Sequence, residues 1–344
     1  MFKKILAVLV GCCFVVAQST SIATPAASSN QVLHVANWND YIDYQTIRAF
    51  EAKNGVSVRY ETYEEHGELI EAVNSNRFDI IVPDSIALDG LAAAGKLQQL
   101  DKSSIQDYAE IQPTLLARMR AADASGVYAI PYMWGRFGIA IYAPKVRDAL
   151  GVKIIPESLD IIFSPENMPR LAQCGITVVD SHLDVFAMLL NYKGYSLEHV
   201  SERKVRKFGS WLDEFAQYIS KVGGTEYMAD LPAGRKCVSL VWEGDGRTLA
   251  KESPDVEFFL PEEGSTLYID SMAITASSKN KKLAEKFISF MAAPEISKQN
   301  AEYTSYNSPN IKATSALPHS ARRPVFLPPT IEPEIEENLI RLWT

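Results

Sequence analysis

The chain has 344 residues, 47% of them hydrophobic and 22% charged, with a formal net charge of -8 at pH 7. That length holds one large domain or two ordinary ones, and the composition is that of a globular body. The acidic balance speaks against nucleic acid and anionic membrane surfaces as partners and favours a cationic ligand.

Taken in order, Met1 to Ala23 reads as an export leader. Lys3 and Lys4 precede an apolar run from Ile5 to Ala17, and Ser21-Ile22-Ala23 supplies a small-x-small cleavage site. The run is too short to span a bilayer as a helix, so the mature chain is expected to be periplasmic. Leu9-Val10-Gly11-Cys12 offers an alternative processing site that would leave Cys12 lipid-anchored.

Beyond the leader, strand-like and helix-like segments alternate. Val32 to Asn37 and Val56 to Tyr60 read as strands, with a helix from Gln45 to Asn54 closed by Gly55. Glu68 to Ser75 reads as a helix, Asp79 to Val82 as a buried strand stopped by Pro83, and Asp84 or Ser85 as the cap of a helix ending at Gly95. Tyr128 to Pro131 is strand-like, and Tyr132-Met133-Trp134-Gly135 reads as a crossing into a second alternating set. That set holds a helix from Ser164 to Cys174, a strand from Ile176 to Val179, helices over 183–193 and 208–221, and a strand from Val238 to Trp242. Strands at Val256 to Leu260 and Ser271 to Ile274, a helix from Lys281 to Ala292 and a last helix around Glu334 to Leu342 complete the order. Alternation of this kind implies mostly parallel sheets covered by helices, here in two α/β lobes with chain crossings near Trp134 and Asp255.

One residue pattern recurs at the ends of these strands. Asn37-Trp38-Asn39-Asp40-Tyr41 places two rings around a carboxylate, Trp242-Glu243-Gly244-Asp245 a ring three residues before one, and Tyr268-Ile269-Asp270 a ring and a carboxylate on one face of an extended segment. Side chains at the carboxyl edge of such sheets point into the ligand crevice. Rings beside carboxylates suit an organic cation, because the acid offsets the lost hydration of each ammonium and the ring faces cover the methylenes between charges. A diamine or longer polyamine makes that demand. Catalytic motifs are missing: no Gly-x-Ser-x-Gly, phosphate-binding glycine loop or His-Glu-x-x-His occurs. His34, His66, His182, His199 and His319 lack metal spacing, so no metal, no cofactor and no enzyme activity are expected. Two cysteines remain outside the leader, Cys174 and Cys237, and in an oxidising compartment they are most simply a disulfide.

With these motifs in order, the chain resembles the periplasmic spermidine/putrescine-binding proteins of ABC-type importers. The likeness runs through Asn37 to Ile42, Phe78 to Pro83, Pro131 to Trp134, Asp184 to Ala187, Trp242 to Asp245, Asp270 to Ile274, Lys279 to Lys281 and Tyr306 to Ser308. It implies a type II, two-lobed binding fold, with lobe 1 over 24–134 plus 256–300 and lobe 2 over 135–255 plus 301–344. It implies that Trp38, Tyr41, Trp242, Tyr268 and Tyr306 form an aromatic box, and that Asp40, Asp184, Asp245 and Asp270 receive ammonium groups. A cysteine pair at the positions of Cys174 and Cys237 also fits the putrescine-binding members. The implied partner is an inner-membrane ABC permease, or a membrane sensor in place of transport, served by a monomer. Two departures stand out: Asp84 follows Val82-Pro83 where a small hydroxyl residue is usual, and Arg136 stands where small residues are usual. The arginine would repel a polyammonium ligand unless an acid such as Asp84 pairs with it.

Overall fold

In a computed structural model the described residues are 31–119, 123, 125–197, 200–313, 323–328, 331 and 333–343. The leader expected over 1–23, and Cys12 with it, lies outside the described residues.

Among the described residues eleven strands run in chain order: β1 (Val32–Trp38), β2 (Ser57–Tyr63), β3 (Ile80–Ile81), β4 (Leu97–Gln98), β5 (Ala129–Tyr142), β6 (Ile176–Val178), β7 (Ile219–Val222), β8 (Val238–Trp242), β9 (Val256–Phe259), β10 (Ser265–Thr275) and β11 (Val325–Phe326). The continuous order is β2-β1-β3-β10-β5-β8-β6-β7, with β4 and β11 on β10 and β9 on β5. β1 is parallel to β2 and β3, and β6 is parallel to β7 and β8. β10 runs antiparallel to β3 and β5, and β5 antiparallel to β8. The helices fill the crossovers that parallel pairing requires.

The two lobes can be read from where neighbouring side chains go. In the first half of the sheet the faces alternate: Val35, Ile80 and Ile274 pack with Phe50 and Phe287, whereas Ala36, Ile81 and Ala273 pack with Leu69 and Leu88. In the second half a separate core gathers Phe137, Ile139, Phe186, Phe208, Leu240 and Phe259. Along β5 the change of core falls between Trp134 and Phe137, and along β10 it is at Tyr268, which packs in the second core while Leu267 and Ile269 on either side pack in the first half. Those points are in register, Tyr268 opposite Gly135, so the two long strands form the hinge side by side.

Several expectations hold locally. The first helix, Tyr44–Asn54, ends at Gly55 with φ 65°, a left-handed cap that glycine adopts without strain. The helix expected from Lys281 to Ala292 has those bounds. Others need correction. Tyr132 to Gly135 is part of one continuous strand, because Gly135 lets the ring of Tyr268 lie across β5: a Cβ there would meet its Oη at 2.1 Å. The helix expected over 208–221 spans Glu202–Ala216 instead, burying Val205, Phe208, Leu212 and Phe215 at three- and four-residue spacing, and Ile219–Val222 leaves it to pair with β6. There sheet bonding outweighs helix continuation. The second crossing is in β10 and not near Asp255, because β9 pairs with β5 and Val256 and Phe259 pack in the second core. The stretch after residue 300 also does not all join the second lobe: Gln112 N–H donates to the carbonyl of Pro309, and Asn310 is bridged to Ile111 in the first. The C-terminal helix Pro333–Trp343 packs against Glu202–Ala216 in the second.

Cys174 and Cys237 form a disulfide with Cα atoms 5.5 Å apart. It ties the turn before β6 to the start of β8, where Cys237 N–H also donates to Gly175.

Candidate functional site

Parallel strands set the site. β1, β2 and β3 deliver Trp38, Tyr63 and the Pro83-Asp84 turn to one rim, while β6 and β8 deliver Ser181 to Asp184 and Trp242 to Asp245 to the other. Both rims are carboxyl ends of parallel strands, and they face each other across the hinge. β10 adds Tyr268 and Asp270 at the hinge itself, and the Tyr306 segment passes beside it, since Asn307 and Trp134 exchange backbone hydrogen bonds of 3.1 Å.

An arc of rings connects the rims. Trp242 meets Tyr268 edge-on at 4.8 Å between centroids, Tyr268 lies 6.2 Å from Tyr306, and Tyr306 meets Tyr41 at 4.7 Å. Gly244 makes room for this arc, because a Cβ there would come within 2.1 Å of the Tyr306 ring. Trp38 stands apart from the arc, edge-on to Tyr63 at 4.7 Å and to His66 at 5.5 Å.

Four carboxylates accompany the rings. Asp270 is buried and accepts a 2.7 Å hydrogen bond from the Tyr41 hydroxyl. Burial pushes its carboxyl up to about 7, helped by the charge of Asp84 and resisted by the Tyr41 bond. Asp184, in the first turn of the helix His182–Tyr192, is buried and accepts from Ser181 at 2.6 Å; burial carries it up to about 6. Asp245 accepts 3.0 Å from Tyr306 and a second bond from Tyr227, and burial still holds it above the ordinary range, with the charge of Asp40 pushing the same way. None of these three pairs with lysine or arginine among the described residues. Tyr268 Oη, Trp38 Nε1 and Asp184 Oδ1 are likewise buried with no hydrogen bond of good geometry among the described residues.

Asp84, the fourth, differs. Its Oδ1 accepts from Ala87 N–H at 2.7 Å, capping the helix Ser85–Ala93, and its Oδ2 meets Nε2 of His66. Burial would raise this carboxyl, but the His66 bond and charge, with the Ala87 and Ile86 N–H groups, hold it below the usual range. Arg136 does not turn to Asp84. It is buried against Glu243, with its Nη2 3.4 Å from Oε1 and its backbone N–H donating to Oε2 at 3.0 Å. Arg247 and Asn307 close on the same carboxylate. The arginine that seemed to threaten the cleft is therefore neutralised in the hinge.

Of the residues singled out in the sequence, Trp38, Tyr41, Tyr268, Asp270, Trp242, Asp245, Tyr306, Asp84 and Asp184 line the two rims and the hinge. Asp40 is exposed, in the left-handed region at φ 52°, and its charge reaches Asp245. His66, Tyr227 and Ser181 were missed. Ser181, three residues before Asp184 at a helix start, had the spacing of a cap paired with an acid, whereas nothing in the spacing of His66 and Tyr227 tied them to one.

The matrix of similarities agrees with this geometry. The family description that matches over residues 45–325 is the bacterial extracellular solute-binding protein. The putrescine-binding periplasmic protein SpuD of Pseudomonas aeruginosa is 30% identical, over 92% of this chain and 88% of its own. The putrescine-binding periplasmic protein PotF of Escherichia coli is also 30% identical, over 95% and 94%. Among solved structures, a putative spermidine/putrescine ABC transporter from Listeria monocytogenes superposes with a TM-score of 0.78 at 26% identity, covering 92% of this chain and 98% of that one.

Proposed function

The chain belongs to the bacterial extracellular solute-binding proteins, and from that premise we propose that it captures a polyamine of the putrescine and spermidine class in its interlobe cleft and delivers it to an ABC-type permease. The observation that carries this reading is the set Asp184, Asp245 and Asp270: three carboxylates, raised by burial, with no lysine or arginine paired to them among the described residues and an arc of rings between them. An ammonium group entering beside such a carboxylate would return it to its charged form, and the rings would cover the methylenes. The mechanism is differential affinity for the closed arrangement of the lobes, with no bond made or broken. Export through the leader over 1–23, and action as a monomer, complete the proposal.

Isothermal titration of the mature chain, unfolded and refolded to strip carried-over ligand, tests it against putrescine, cadaverine, norspermidine, spermidine and spermine. A Kd of about 1 μM or tighter for one amine is expected, roughly -8 kcal/mol. No heat with any of them would overturn the reading.

A further inference from the structure

His66 opens the helix His66–Asn74, and a capping box between Glu65 and Glu68 fixes that first turn. From there its Nε2 reaches Oδ2 of Asp84, and its ring stands edge-on to Trp38 at 5.5 Å. The backbone of Asp84 is bridged to that of Asp270, so this contact forms at the wall of the cleft. The charges facing the imidazole are all negative: Asp84 on its own rim, Asp270 on the hinge strand and Asp184 on the opposite lobe. The Asp84 contact raises the imidazole's pKa, and the protonated ring, set on a carboxylate and beside an indole, has the surroundings that an ammonium group of the ligand would seek.

We propose that His66 is a specificity residue, a resident cation on Asp84 that leaves the cleft suited to a diamine and disfavours a triamine. The inference rests on the cleft being a polyamine site. A third ammonium directed at Asp84 meets a carboxylate each of whose oxygens already accepts a hydrogen bond, Oδ1 from Ala87 and Oδ2 from His66, and a ring that competes with it for the same negative charge. Removing the imidazole uncovers that carboxylate, while Asp84 remains capped in place by the helix it starts.

Titrations with putrescine and spermidine on the wild type, His66→Ala, His66→Gln and the double variant His66→Ala/Asp84→Asn separate the possibilities. The wild type is expected to favour putrescine. In His66→Ala the ratio of spermidine to putrescine affinity rises on the order of tenfold, the effect of one uncovered charge contact in a desolvated cleft. His66→Gln, which keeps a donor but loses the positive charge, gives a smaller rise, and the double variant returns the ratio toward the wild-type value. A ratio within about twofold of wild type in His66→Ala, with both amines still bound, overturns the inference and leaves the cleft reading intact. A wild type that favours spermidine overturns it too. A wild type that binds no amine overturns both.

Discussion

Two carboxylates two residues apart in one helix turn show how differently this fold treats negative charge. Glu243 is wholly buried, and Arg136, Arg247, Asn307 and a backbone N–H all converge on it. Asp245 is given two tyrosine hydroxyls and nothing positive. The first acid therefore belongs to the hinge, where satisfied charge locks β5, β8 and the Asn307 segment together. The second has only tyrosine hydroxyls as side-chain partners among the described residues, as the proposed cation site requires. The difference teaches that burial alone does not separate a structural acid from a binding one; the counter-ion does.

The largest effect that can test this contrast is at the hinge. Glu243→Ala removes the carboxylate from a buried arginine and should cost about 3–5 kcal/mol of stability, measured by urea denaturation. A stability close to wild type would break the comparison.

In the cleft the signs are reversed. Asp245→Asn and Asp270→Asn should each weaken amine binding by about tenfold or more, about 1.4 kcal/mol, in titration. The melting temperature of the free protein should stay the same or rise, because each change removes a charge that burial disfavours. A large fall in melting temperature would move these acids to the structural class.

The pH dependence sharpens the same point. Asp270 and Asp184 are raised in the folded state to about 7 and about 6, above the 3.8 of the free carboxyl, so between these limits the folded protein binds more protons than the unfolded. Stability contributed by the two groups therefore falls as pH rises from about 4 to 7, where the slope follows the proton difference. His66, raised by its bond to Asp84, acts in the same direction. The free protein should melt higher at pH 5 than at pH 7.5, by on the order of 2 kcal/mol in unfolding free energy, and saturating amine should shrink the difference. Amine affinity itself should fall as pH drops through 7 to 6, since protons compete for the same carboxylates. The smallest effect is expected from Tyr306→Phe, which deletes one donor to Asp245 and should cost about 0.5–1.5 kcal/mol of amine affinity.

Much of this was legible residue by residue. The strand ends that carry Trp38 and Trp242, the cap at Gly55, the helix Lys281–Ala292 and Asp84 before its helix all follow from patterns within a few residues, whereas Asp270, expected at a strand end, lies in the middle of β10. The unusual character of Asp84 and Arg136 was legible too, but their partners were not. Arg136 and Glu243 are far apart in sequence and meet because β5 lies beside β8. His66 reaches Asp84 because two helix starts, His66–Asn74 and Ser85–Ala93, are brought to one rim.

The sequence by itself determined which elements form, that the chain is acidic, and which strand ends carry rings and acids, while the two-lobed binding fold was what its resemblance implied. Local spacing suffices for those properties, because helix and strand periods act over a few residues. Only the tertiary structure decided which acids keep their charge free. That choice depends on which cation is within a few ångströms and how much water is excluded, and both follow from the order of strands across the hinge.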